Sequence, residues 1–271
     1  MLTSTRSAHV ARLRRLHERK GRQQSGTFLA EGPDCVAAAM DAGWVREIVS
    51  VPDHPLARRA ARSGLEVHEA DERVIAAIGD AQTPQGIVAE CAIPSTSIDD
   101  VVSGHGPVVI CDRLADPGNL GTILRTAEAV GAPGVLITRG SVDPWNPKAV
   151  RASAGSSFRI PVVQVESVRQ GADRIRSAGW KVVALAADAP VSVFDVIDGE
   201  RRRGEDVQRL AWLVGSEAHG ITSEGLASSD LRASIPMSPS VESLNAAVSV
   251  AICLYLAVGA DLPGSRGDAG A

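Results

Sequence analysis

The chain reads as α/β: a smaller α/β unit followed by a larger one built on a parallel sheet. Three observations predict this. Short apolar runs alternate with segments of helical periodicity along most of the chain. In the second half these runs are nearly all apolar and β-branched, as expected for strands covered on both faces. A polar stretch rich in Ser, Pro and Gly, "PSTSIDDVVSGHG" (94–106), separates the two halves and reads as a linker. The length, 271 residues, suits one large domain or two small ones.

Taken in order, residues 6–22 predict a basic helix. Arg6, Arg12, Arg14, Arg15, Arg19, Lys20 and Arg22 stand against the single acid Glu18, and Val10, Leu13 and Leu16 recur at helical spacing. Such a helix is either a solvated surface element or an arm that contacts phosphates through Arg12, Arg14, Arg15, Arg19, Lys20 and Arg22. "TFLAEG", "VREIVSV", "LEVHEA" and "GIVAECAI" are strands. They alternate with helices at Pro33 to Ala42, "HPLARRAARSG" and "DERVIAAIG", which sets the first domain at 1–93. The second domain, 107–260, carries the strands "PVVICDRL", "GVLIT", "IPVVQV", "WKVVALA", "LAWLV" and "ASIPM". "DGERRRGEDVQ" (198–208) reads as a charged loop, and residues 261–271 as a flexible tail.

Composition narrows the function. The chain is 44% hydrophobic and 22% charged, ordinary for a globular protein. A net charge of −4 argues against a generic polyanion binder, so any nucleic-acid contact comes from a local patch. Aromatic residues make up only 3%, too few for base stacking to be the main recognition device. Cys35, Cys91, Cys111 and Cys253 are scattered through apolar runs with no CxxC spacing, as buried free thiols of a reducing compartment would be. The six histidines show no HxxxH or His/Cys cluster, so no metal site is expected. The N-terminus lacks the apolar core of a secretory signal, and "LNAAVSVAICLYLAVGA" is shorter than the roughly 20 residues of a membrane span. The expected location is cytoplasmic.

Three clusters carry chemistry. In "DPGNLGTILRTAEAVG" a strand feeds a helix whose mouth holds Asn119. Arg125, four residues after Gly121, leans back toward that mouth, where free backbone N–H groups and a guanidinium suit a phosphate. In "LAWLVGSEAHGI" an apolar strand ends in a glycine-flanked turn holding Glu217, at the strand edge where open α/β sheets bind ligands. In "ASIPMSPSVESLNAAVSVAICLYL" a Ser/Pro loop delivers Ser243 and Asn245 to a helix start, with Val248, Ile252, Tyr255 and Leu256 as an apolar face. Each has a plain alternative when taken alone: a helix cap, a surface arginine, a solvated turn glutamate. Together they describe a nucleotide-like pocket, although both GxGxxG and GK[ST] are missing.

In order and spacing these three motifs resemble those of the SpoU/TrmH family of RNA ribose 2′-O-methyltransferases, in the SPOUT superfamily. The resemblance covers about residues 107–259, and "NPKAVRASAGSSFRIP" is similar to the family's stretch between its first two motifs. Residues 1–93 more loosely resemble the L30e-like substrate-binding domain often fused to it. The resemblance implies a parallel-sheet SPOUT domain with a C-terminal trefoil knot, which chain-path rules alone would disfavour. It implies S-adenosylmethionine held around Leu213, Val214, Gly215, Ile235, Pro236, Met237, Ser243 and Leu244. It also implies a homodimer, with Asn119, Arg125, Glu217, Ser243 and Asn245 as catalytic residues and Arg151 reaching RNA. The substrate implied is ribosomal RNA, with transfer RNA as the alternative. A non-catalytic RNA-binding protein is the reading from another class, and a dinucleotide-dependent enzyme is disfavoured by the missing GxGxxG.

Overall fold

A computed structural model describes residues 1–259 of the chain; the expected tail at 261–271 lies outside the described residues. The chain divides into two compact units, one made of residues 1–95 and 143–159, the other of 96–142 and the residues from 160 onward.

The first unit is a four-stranded sheet in the order β1-β4-β2-β3. Its strands are β1 (Thr27–Glu31), β2 (Val45–Ser50), β3 (Glu66–Glu69) and β4 (Ile87–Ala92). β4 runs antiparallel to both β1 and β2, whereas β2 and β3 are parallel. Val10, Leu13 and Leu16 pack on one face against Leu29, Val49 and Val88, so the apolar seam of the basic segment is a buried one. That segment is not one helix. It runs Ala8–Arg14, a 3-10 turn at Arg15–His17, then Arg19–Ser25. The break has a local cause: Leu16 and His17 carbonyls, which a continuous helix would give to N–H groups four residues on, accept from the Arg22 guanidinium instead. Residues 143–159, assigned by sequence to the second domain, pack in the first unit. Trp145 and Phe158 sit against Phe28 and Trp44, with ring centroids 4.8 to 6.1 Å apart.

The second unit holds a seven-stranded parallel sheet in the order β7-β6-β5-β10-β8-β11-β9. Its strands are β5 (Val108–Cys111), β6 (Val135–Thr138), β7 (Val162–Val165), β8 (Lys181–Leu185), β9 (Val191–Ser192), β10 (Leu210–Val214) and β11 (Leu231–Ser234). Six of the seven match predicted strands; β9 has two residues, too few to show periodicity. β11 stops at Ser234, short of the predicted "ASIPM". The 94–106 stretch is partly folded: Ser97 and Asp100 form a capping box for the helix Ile98–Val102. The expected loop at 198–208 is mostly the end of the helix Val193–Arg203. Ser192 caps its start, left-handed Gly204 caps its end, and Glu200 is buried accepting from Lys181 and Arg203.

After β11, on the far side of β8 from β10, the chain runs through residues 235–245 to the helix Ala246–Val258, which packs on β10 and on the helix Pro117–Ala129. It therefore returns across the C-terminal ends of the central strands. The last helix buries Ala247, Val250, Cys253, Leu254 and Ala257, while Val248 and Tyr255 of the predicted apolar face stay 47% and 46% exposed.

Candidate active site

The helix Pro117–Ala129 begins with Asp116 as N-cap, accepting from the Asn119 N–H at 2.8 Å, and Pro117 in the first position. These set Asn119 in the first turn with its amide turned outward. Its Nδ2 donates to Oε1 of Glu217, and its Oδ1 accepts from Nδ2 of Asn245 at 2.9 Å. Asn245 is itself the N-cap of Ala246–Val258, its Oδ1 accepting from the N–H groups of Ala247 and Val248. Three clusters scattered through the sequence thus meet in one hydrogen-bonded row, Glu217–Asn119–Asn245. The central amide uses donor and acceptor at once, so its orientation is fixed.

The turn that presents Glu217 is anchored twice. Ser216 and Gly220 exchange backbone hydrogen bonds at 3.1 and 2.8 Å, folding the loop back over Gly215. A Cβ at Gly215 would lie 2.1 Å from the Gly220 backbone, so only glycine permits the fold-back. From the end of β5, buried Asp112 accepts from the N–H and Oγ1 of Thr222 at 2.8 and 2.7 Å. Asp112 escaped the sequence reading; its only signal is an acid directly after an apolar strand.

Beside the row lies a cavity of about 600 Å³. Its wall is built from the C-terminal ends of β8, β10 and β11 and from the returning segment. Of the predicted cofactor residues, Val214, Gly215, Ile235, Met237, Ser243 and Leu244 line it, together with Glu217 and Asn245. Leu213 is buried in the strand behind it, and neither Leu213 nor Pro236 is part of the wall. Sequence reasoning missed Leu185 to Asp188 at the end of β8, and Arg232, whose guanidinium holds Asp188 at 2.8 Å on the rim. The rule that ligands sit at C-terminal strand ends could have found the β8 residues. The volume lies in the range of small-molecule sites, and the wall mixes apolar side chains with two carboxylates, Glu217 and the Arg232-paired Asp188, which suits a nucleoside joined to a cationic sulfonium.

Thiol chemistry is absent from this site. All four cysteines are buried and free; burial pushes Cys111 up to about 12 and Cys35 up to about 11, and raises Cys91 and Cys253 as well.

Arg125 is exposed, outside the cavity wall, and has no side-chain hydrogen bond or ion pair among the described residues. Of the residues expected to contact RNA, Arg14, Arg15, Arg19 and Lys20 are exposed. Arg12 is engaged by Glu47 and Glu90. Arg22 is a correction: it is 2% exposed, donates twice to Asp143 at 2.6 and 2.8 Å and twice to backbone carbonyls, and so cannot reach a phosphate. Arg151 is also committed inside the first unit, to buried Glu31 at 2.9 Å.

The model of the SpoU rRNA Methylase family matches residues 106–255, and that of the MRM3-like substrate binding domain matches residues 7–89. The 23S rRNA (guanosine(2553)-2'-O)-methyltransferase RlmP of Bacillus subtilis is 31% identical over 94% of this chain and 97% of its own. The AdoMet-bound rRNA methyltransferase from Sinorhizobium meliloti superposes with a TM-score of 0.82 at 31% identity, covering 95% of this chain and 96% of that one. The SpoU methyltransferase AviRb from Streptomyces viridochromogenes, in complex with AdoMet, gives 0.83 at 30% identity over 93% and 97%. Fold and site together define an S-adenosylmethionine-dependent RNA 2′-O-methyltransferase. The chain belongs to the SpoU rRNA methylase family, joined to an N-terminal substrate-binding domain.

Proposed function

We propose that the chain methylates a ribose 2′-hydroxyl of large-subunit ribosomal RNA, and that the Glu217–Asn119–Asn245 row grips the reacting ribose. That row, beside a cavity at the strand ends, is the observation that carries the reading. The relatives that are named 23S rRNA methyltransferases support the RNA class.

The chemistry requires help because a ribose hydroxyl is a very weak acid. Bound S-adenosylmethionine supplies an electrophilic methyl group. The chain must place the 2′-oxygen in line with that group and give its proton a destination. Asn119, fixed by its two partners, and Ser243 on the cavity wall orient the sugar. Val214, Gly215, Ile235, Met237, Ser243 and Leu244 hold the cofactor. Arg125 offers a fork of donors and no acceptor, and so is not assigned the role of base. Its role is to bind the phosphate next to the reacting sugar, where a phosphate oxygen would take the 2′ proton.

Arg125 lies outside the cavity of its own chain, and a homodimer resolves this. Val248 and Tyr255, seven residues apart on one face of the last helix, are large apolar side chains left exposed. A dimer covering them brings Arg125 of one protomer to its partner's cavity. The exposed Arg14, Arg15, Arg19 and Lys20 serve as phosphate contacts. Four buried free thiols support a reducing, cytoplasmic setting, and no described helix is long and apolar enough to cross a membrane.

The test is transfer of label from S-adenosylmethionine to deproteinised total RNA and to ribosomal precursor particles. Label in large-subunit ribosomal RNA, recovered as an alkali-resistant dinucleotide and absent with Arg125→Ala, is the expected outcome. Label confined to transfer RNA, or unaffected by that substitution, would overturn the substrate or the arginine role respectively.

A further inference from the structure

The first unit carries a row of acidic side chains that the sequence spacing conceals. Strand register sets Glu90 of β4 opposite Glu47 of β2, and Glu47 opposite Glu66 of β3. By the two-residue period of a strand, Glu90 and Glu47 share the sheet face of Val88 and Val49, the face covered by the helix Ala8–Arg14. Glu47 and Glu90 are only 6% and 7% exposed. Arg12 lies between them and donates to an oxygen of each, so one cation serves two buried carboxylates.

Between Glu47 and Glu66 the arrangement differs. Among the described residues no lysine or arginine pairs with Glu66. Two imidazoles converge there instead: His9, three residues before Arg12 on the helix, and His68 of β3. Their Nε2 atoms lie 3.0 and 3.1 Å from the same oxygen, Oε2 of Glu47, and His68 Nε2 is also 3.1 Å from Oε1 of Glu66. The ligand atoms of His9, Glu47 and His68 all fall within 4.8 Å of one another. Sequence spacing could not show this, because the two histidines stand on a helix and a strand far apart in the chain.

We propose that His9, Glu47 and His68 bind a divalent cation of the zinc class, with the more exposed Glu66 completing the set. Zinc takes nitrogen and carboxylate ligands at about 2.0–2.1 Å in a tetrahedron, which places ligand atoms about 3.3 Å apart. The two Nε2-to-Oε2 separations are already close to that. Arg12 donates to Oε1 of Glu47, which His9 Nε2 also approaches at 3.2 Å, whereas Oε2 is the oxygen both imidazoles share and so the one offered to the metal; the guanidinium holds the carboxylate in place as outer-sphere partners do. A divalent charge also balances a face where carboxylates outnumber arginines. The ion would fasten the helix Ala8–Arg14 to β2 and β3. The ion would take no part in methyl transfer.

The experiment is titration of zinc chloride into the chelator-stripped full chain at about pH 8, where ordinary histidines are neutral, followed by calorimetry and thermal unfolding. His9→Gln and His68→Gln keep a donor toward Glu47 but lose the imidazole ligand, and circular dichroism checks that they remain folded. One zinc per chain, a raised unfolding midpoint, and affinity reduced at least 10- to 100-fold in both variants are expected. A cobalt(II) visible spectrum characteristic of tetrahedral coordination, present in the parent and lost in both, gives a second readout. Zinc binding that is absent, or unchanged in the two variants, overturns the site. Stability that ignores zinc but rises on acidification through the histidine range also overturns it, and identifies the two imidazoles as a protonated pair on Glu47.

Discussion

Asn119 shows what one side chain can do when both ends of its amide are committed. Glu217 accepts from its Nδ2 and Asn245 donates to its Oδ1, so any group that meets this amide meets it in one orientation. Asn119→Ala removes the centre of the row and leaves Glu217 and Asn245 without each other's intermediary. Methyl transfer is expected to fall by about 10²-fold or more, the size of a small misplacement at a reacting centre. The thermal midpoint should move little, because all three residues are at least partly solvated; initial rates and a melting curve on the same preparation check both halves. Arg22 behaves oppositely. It is a buried cation whose donors go to Asp143 and two carbonyls. Arg22→Ala leaves a buried carboxylate unpaired, and urea unfolding should show a loss of about 3–5 kcal/mol, with methyl transfer by the surviving folded fraction close to normal.

At the scale of elements, turns and caps decide what the site looks like. The Ser216–Gly220 fold-back exists because Gly215 has no Cβ. Gly215→Ala forces the loop away from the cavity wall it forms, so S-adenosylmethionine binding measured by calorimetry should weaken by about 10-fold or more, with the sheet intact by circular dichroism. A cap also gives one helix a pH response. His54 precedes Pro55–Arg62, and its Nδ1 accepts from the Leu56 N–H at 3.3 Å. Burial, and then the positive charge of Arg58, lower its pKa below 6.5. A histidine whose folded value is depressed is neutral in both states above the unfolded value. Stability is therefore full above about pH 6.5 and declines as pH falls from there through the lowered folded value. His54→Asn keeps an acceptor at the cap, and should flatten that part of a stability-versus-pH curve; an unchanged slope would remove His54 as the cause.

At the scale of the molecule, the last helix is apolar on nearly every side. One side packs on β10 and on Pro117–Ala129, and the other leaves Val248 and Tyr255 in water. The dimer proposed above accounts for the second side. Tyr255→Glu with Val248→Glu should convert a two-chain particle to a one-chain particle by light scattering, and methyl transfer should drop with it because Arg125 then faces no cavity. A particle that stays dimeric would place the interface elsewhere. The first unit adds a different lesson. Residues 143–159 belong to it, and without Phe28 and Trp44 the buried rings of Trp145 and Phe158 have no cover. A division at the 94–106 stretch is therefore not a clean cut between two foldable pieces.

Local chemistry made much of this legible in the sequence. β-branched apolar runs marked six of the seven strands of the parallel sheet, and the strand-to-helix junctions marked Asn119, Arg125, Glu217, Ser243 and Asn245, because periodicity and capping act within a few residues; of these five the structure joins Asn119, Glu217 and Asn245 in a row, sets Ser243 on the cavity wall and leaves Arg125 outside it. What the sequence could not decide were the pairings. Asn119 meets Glu217 across 98 positions and Asn245 across 126, and Arg22 meets Asp143 across 121. Whether a guanidinium is an RNA contact or a buried strut, and whether two histidines are strangers or neighbours, depends on which faces pack together. Only the tertiary structure settles that, since burial and long-range contact are properties of the packed core and not of any window along the chain.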